Sequence, residues 1–353
     1  MGMVVLPSLS SRAYLRIAQV ALAVCVLNIL SGATVRLTDS GLGCADWPNC
    51  TKSSVTPPLS FHPIMEFANR MVVALLVVVV AVAFLGAFRR AQRRKDLVFL
   101  SGGLVAGVIA EAGVGAVVVY SKLNPYIVMV HFLLGIALVG LAFALAIRAG
   151  RANAASTTKV SQKARRVALA MVGVLVVALC AGTATTGAGP HAGGPGAKRI
   201  PIPLADMART HSSIVLVLGA LTLLELWLLH REGAPTSVME RGQALLAVMI
   251  AQGVVGYSQY FTHEPALLVG IHVAGAVSVW LMMLWFYDGL SHHPAESDHP
   301  AETSPSAGPV ESAATGPTGT EPEELGRTGI EPGVLSGTPG QARVDPGAVG
   351  VVR

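Results

Sequence analysis

Apolar residues come in long blocks along this chain, and polar residues collect in the gaps. Eight blocks are long enough to cross a hydrocarbon layer of about 30 Å, at approximately 14–34, 64–88, 97–120, 126–147, 167–186, 212–230, 242–260 and 266–287. Each predicts a membrane-spanning helix, because a segment in lipid must satisfy its own backbone hydrogen bonds. The first block is too long for a cleaved signal peptide, and no clean small-residue cleavage site follows it.

The pattern also repeats. Spans 3 and 4 read EAGVGAVVVYSKLNPYIVMVH, ending at His131, and spans 7 and 8 read QGVVGYSQYFTHEPALLVGIH, ending at His272. Glu111 falls opposite Gln252, Gly115 opposite Gly256 and His131 opposite His272; Pro125 and Pro265 share a turn, one position out of step. Four spans return the chain to its starting side, so the two copies are parallel and related by an axis near the membrane normal. The expected fold is all-α: eight transmembrane helices as two parallel-repeat four-helix bundles, each able to hold a cofactor between facing helices. Residues 1–150 would form the first bundle, 151–290 the second, and 291–353 a tail.

Composition agrees with a polytopic membrane protein. Hydrophobic residues make up 52% of the 353, charged residues 13%, and mean hydropathy is +0.60. The net charge of +5 hides a division: the tail holds 9 acidic and 3 basic residues, so the excess of cations lies in the membrane body. Fifteen Lys and Arg flank the loops on the side of the N-terminus, against six on the other. That asymmetry places both termini in the cytoplasm of a multi-pass cell-membrane protein, and it accounts for the basic balance without nucleic acid. The tail has 9 Pro, 10 Gly and no Phe, Trp or Tyr, a composition that predicts disorder. Its His292, His293 and His299 lack a second ligand cluster, so a metal site there is disfavoured.

Ionisable residues inside spans are costly and usually face a bundle interior. His131 and His272 lie one to two turns below the outer surface, and His211 opens span 6 on the same side. His211 and His272 can face each other in one bundle, which suits bis-imidazole ligation of haem iron. In the first bundle the residue placed opposite His131 is Asn69, a poor iron ligand. Either one axial position there is open, or Asn69 only hydrogen-bonds a neighbouring helix. Glu66, one turn before Asn69, could serve as acid, base or electrostatic stabiliser, or simply pair with Arg70 or Arg36. Glu111 fits a structural, proton-path or catalytic role, Glu225 reads as interfacial, and His62 as a loop residue.

The outer loops add two features. TVRLTDSGLGCADWPNC holds Cys44 and Cys50, close enough for a disulfide on the outer face, as a structural staple or a redox-active pair. Cys25 and Cys180 lie within spans as packing residues. TTGAGPHAGGPGAKRIPIP is glycine-rich, which lets backbone approach a ligand closely, and its Lys198 and Arg199 could meet propionates or lipid phosphates; a flexible polar loop is the plainer reading.

The run RLTDSGLGCADWPNC, the EFANR segment of span 2, TGAGPHAGG after span 5, and His131, His211 and His272 together resemble haem A synthases over about residues 14–287. The resemblance implies oxidation of the C8 methyl of haem O to the formyl of haem A, for assembly of terminal oxidases. It implies haem b as cofactor on His211 and His272, substrate haem O with His131 as axial ligand, Glu66 acting at the substrate, and Cys44 and Cys50 as the family's outer cysteine pair. The implied partners are haem O, an electron donor the sequence does not identify, haem O synthase and membrane lipid. The chain departs from the pattern at Asn69, where many members carry histidine. Two rival functions stay open: a transmembrane b-type cytochrome reducing quinone, which would need haem sites on both membrane sides, and a non-enzymatic haem carrier, which would not need Glu66.

Overall fold

A computed structural model describes residues 8–152 and 157–292. The predicted tail beyond 292, with His293 and His299, lies outside the described residues. Eight long helices dominate: α1 (Ser11–Leu37), α2 (Phe61–Phe88), α3 (Lys95–Tyr120), α4 (Pro125–Ala149), α5 (Gln162–Ala188), α6 (Leu204–Arg231), α7 (Thr236–Phe261) and α8 (Ala266–Gly289). Each is long and apolar enough to span a membrane. Two-residue strands β1 (Thr157–Thr158) and β2 (Ser291–His292) pair antiparallel.

Every apolar block is a helix, but the helices overrun the blocks. α6 starts at Leu204 and α7 at Thr236, six to eight residues before their apolar runs. The apolar run marks only the part in hydrocarbon; capping residues set the helix ends. Ser10 and Ser161 accept the Ala13 and Ala164 amides at 3.2 and 3.1 Å, Asn124 accepts Tyr126 N–H at 3.1 Å ahead of Pro125, and α6, α7 and α8 each follow a proline. His211 therefore stands two turns inside α6 rather than opening it.

Helices α1–α4 pack as a ring closed by α1 against α4, and α5–α8 as a ring closed by α5 against α8. The rings meet where α1 and α4 touch α8 and α4 touches α5. Both rings share one asymmetry. Their fully buried large side chains, including Tyr14, Leu97, Leu145, Met171, Met283 and Phe286, lie toward the end that carries the termini. At the opposite end, which carries the first long loop, stretches 112–120, 126–134, 204–217 and 250–261 bury no residue at all. These half-helices of α3, α4, α6 and α7 are less filled than the other end of each ring. Large apolar side chains such as Phe99, Ile109 and Leu216 point outward, exposed as lipid-facing residues are.

Glu225 corrects the expectation of an interfacial carboxylate. It is fully buried, and neither carboxylate oxygen has a hydrogen-bond partner. The chain position near a helix end suggested exposure, but α6 runs on to Arg231 and its neighbours cover the site.

Candidate functional site

The three span histidines stand at one level. His131, His211 and His272 follow the first residues of α4, α6 and α8 by six, seven and six positions, about 9–10 Å along each axis. That level lies in the unfilled half of both rings. His211 and His272 face each other across the second ring with ring centres 6.3 Å apart and planes at 78°.

Each imidazole is backed by a glycine on the preceding helix. A Cβ on Gly182 would stand 3.1 Å from His211 Cε1, one on Gly256 3.0 Å from His272 Cε1, and one on Gly115 3.3 Å from His131 Cε1. In the fourth equivalent place a Cβ on Gly32 would stand 3.9 Å from Asn69 Oδ1. The rings therefore occupy slots that alanine would narrow. The sequence repeat had paired Gly115 with Gly256; what they do became visible only with their neighbours, and Gly182 and Gly32 carried no such signal.

The second sphere differs at each ring. His211 Nδ1 lies 3.0 Å from Ala178 O. A carbonyl only accepts, so Nδ1 carries the proton and Nε2 the lone pair, the state of a metal-binding histidine. His272 Nδ1 is buried without a partner among the described residues, and Gln252, the repeat partner of Glu111, bonds His272 O at 2.8 Å instead. His131 Nδ1 stands 3.4 Å from Oε1 of the buried Glu111, near but not hydrogen-bonded to it. Asn69 Oδ1 accepts the Ser31 hydroxyl at 2.6 Å, the helix-neighbour bond expected as the plainer alternative.

These residues fit a haem. Two imidazoles on one metal, each bonded at about 2 Å with its ring centre about 1 Å beyond, stand about 6 Å apart, as His211 and His272 do. The glycine slots, the lone pair of His211 and the open half of the ring agree with that fit.

The first long loop caps the first ring. Cys44 and Cys50 form the expected disulfide, and Cys25 and Cys180 are free. Glu66 lies buried beneath the loop: Oε2 accepts Cys44 N–H at 2.7 Å and Oε1 accepts Arg70 Nη2 at 2.6 Å. Arg70 also donates to Pro48 O and Asn49 O at 3.2 and 2.8 Å. Arg36 is not the partner of Glu66; it donates to Thr186 O at 2.9 Å near the end of α5 and to His191 O at 2.7 Å in the second long loop. There the glycines serve contact between the loops: Gly41 N–H reaches Gly193 O at 2.8 Å, and Gly193 sits at φ +96°. His191 Nε2 lies 2.8 Å from Glu264 O. Lys198 is exposed, and Arg199 donates to Pro190 O at 2.9 Å. His62 is exposed, its Nδ1 3.0 Å from Ser40 Oγ.

Known proteins share these features. Residues 15–64 and 59–193, just over half the chain, match the family model described as cytochrome oxidase assembly protein, COX15-CtaA. The chain is 34% identical over 105 residues to the haem A synthase of Geobacillus kaustophilus, covering 29% of this chain and 32% of that one. It is 35% identical over 107 residues to that of Geobacillus thermodenitrificans, 30% and 33% of the two chains, and 35% identical over 127 residues to that of Symbiobacterium thermophilum, 35% and 40%. The matches thus span about a third of the length of these relatives. By the family match, the chain belongs to the cytochrome oxidase assembly protein family, among the relatives of haem A synthases.

Proposed function

We propose that this membrane protein is a haem A synthase, a haem-dependent oxidoreductase that converts the C8 methyl of haem O to the formyl of haem A. The observation that carries the proposal is the facing pair His211 and His272, set on glycine slots in the unfilled half of the second ring. That pair would hold haem b as cofactor, within a bundle spanning 151–290. Haem b bound there supplies one-electron transfer. The first bundle, 1–150, would take haem O with His131 as axial ligand, and Glu111 beside Nδ1 would orient that ring and raise its basicity.

Glu66 is the catalytic carboxylate in this reading. Its two donors fix both oxygens, so it is positioned before the substrate arrives. Two hydroxylations at one methyl carbon, each consuming one dioxygen with two electrons from the donor and two protons and releasing one water, then loss of water from the geminal diol, would give the aldehyde, and Glu66 is the group that would hold or move the proton at that carbon's oxygen. A plain electron-transfer cytochrome would have no use for a clamped carboxylate, and the three histidines share one membrane level rather than two. Both termini are assigned to the cytoplasm on the cation asymmetry, so both haem sites lie toward the outer face. Haem O, an electron donor yet to be identified, haem O synthase and lipid are the partners.

The test is pigment extraction from the purified full chain, co-expressed with a source of haem O. Haem A or its hydroxylated intermediate beside haem b is the expected result. Haem b alone, with haem O available, would overturn the synthase assignment in favour of a cytochrome or carrier.

A further inference from the structure

Asn69 differs from the other three glycine-backed positions, and so do its surroundings. The Ser31 hydroxyl on Oδ1 turns the amide oxygen toward α1 and leaves the NH2 directed away from that bond. No described protein group accepts from that NH2. Beside it a cavity of about 290 Å³ opens between α1 and α2. Leu27 and Val72 line one end, Thr34 and Met65 the other, and Ser31 and Asn69 its middle. The volume sits at the foot of the roughly 300–1,000 Å³ range of small-molecule pockets and well above the ~30 Å³ share of one water. It is ample for a diatomic. Leu27, Thr34 and Ala68, which line the groove, are exposed, so it is open along its length.

Asparagine does not close the axial position of an iron, whereas the donors and access of the pocket on that side decide what small ligand the iron takes. We propose that the Ser31–Asn69 pair is a polar seat for a small neutral diatomic, of the size and polarity of dioxygen, on the porphyrin face opposite His131, and that the α1–α2 groove is its route from the lipid. Ser31 holds the amide in register, Asn69 NH2 donates to the ligand, and the apolar walls admit a lipid-soluble gas while disfavouring ions. The inference rests on the haem A synthase assignment, since it requires a porphyrin in the first bundle.

Carbon monoxide is the probe, because it binds ferrous haem with an open axial position and not a bis-imidazole haem. The full chain is loaded with haem in both bundles, and CO binding is followed by optical difference spectra, flash-photolysis kinetics and the C–O stretch. One CO per two haems is expected. Asn69→His should abolish CO binding and turn the first-bundle haem low-spin. Asn69→Leu should keep CO but shift the stretch and weaken affinity by roughly 2- to 10-fold, the worth of one hydrogen bond. Ala68→Trp should slow CO association without moving the stretch. The unchanged second-bundle spectrum reports that each variant is folded. Two haems and no CO binding would overturn the proposal, as would an Asn69→Leu protein identical to wild type in stretch and affinity. Partial loss of first-bundle haem from Ala68→Trp, with unchanged CO kinetics in the haem that remains, would overturn the proposed route and assign the groove to the porphyrin's own substituents instead. A single haem per chain, indifferent to His131→Ala, would overturn the first-bundle assignment and this inference with it.

Discussion

Glu66 shows how one carboxylate can be held by parts of the chain far apart in sequence. Oε2 takes its proton donor from the backbone of Cys44, and Oε1 from Arg70, whose other bonds run to the carbonyls of Pro48 and Asn49 inside the disulfide loop. The loop therefore sets the position of both oxygens. The Arg70 and Glu66 side chains are 14% and 7% exposed, so removing one partner strands a nearly buried charge. Arg70→Met should destabilise the protein by about 3 kcal/mol, seen as a lowered thermal unfolding midpoint. The Arg70→Met, Glu66→Gln double variant should recover part of the loss, because no uncompensated charge remains. Equal midpoints for the single and double variants would show that Glu66 is not stranded. Glu66→Gln alone should cut formyl formation by about 100-fold or more while haem content stays constant; a smaller effect would move the catalytic role to another residue.

At the scale of the helix, the glycine slots give the clearest sign of what the open half of each ring accommodates. An alanine at Gly256 would press its Cβ to 3.0 Å from the His272 ring, whereas one at Gly253, a turn away on α7, meets nothing within 4 Å. Gly256→Ala should tilt His272 and lower haem retention in the second bundle, read as the ratio of haem to protein after purification. Gly253→Ala should retain haem and gain about 0.5–1 kcal/mol from the better helix former. If both variants keep haem equally, the slot does not set the ring. The same comparison shows what was legible in the chain. All eight helices, the repeat and the outer side of the histidines could be read from apolar runs and recurrent polar residues, and the disulfide from the spacing of Cys44 and Cys50; the depth of His211 could not. The helix starts could not, because Leu204 and Thr236 precede polar first turns that hydropathy reads as loop. Nor could the burial of Glu225, the choice of Arg70 over Arg36, or the slots, since each depends on which residues of a second helix or loop come close.

Two seams join the rings, one at each end of the molecule. At the disulfide end Arg36 of α1 reaches the carbonyls of Thr186 and His191. At the terminal end Arg151, just after α4, pairs with Asp288 of α8. The two ends also differ in charge: the loops at the terminal end carry most of the cations, and the disulfide end few. The cation asymmetry and a disulfide that persists in an oxidising compartment point to the same orientation. Lys52 lies exposed in the first long loop, just after Cys50, and Arg93 exposed between α2 and α3. In intact cells a membrane-impermeant maleimide should therefore label Lys52→Cys and spare Arg93→Cys, which should react only after permeabilisation. Because Cys44 and Cys50 are already paired, and Cys25 and Cys180 lie within helices, the introduced thiol dominates the signal. The reverse pattern would turn the molecule over. Glu66, the histidines and the α1–α2 groove would then open toward the cytoplasm, where a disulfide would not persist, and the loop that fixes Glu66 would lose its closure in the cell.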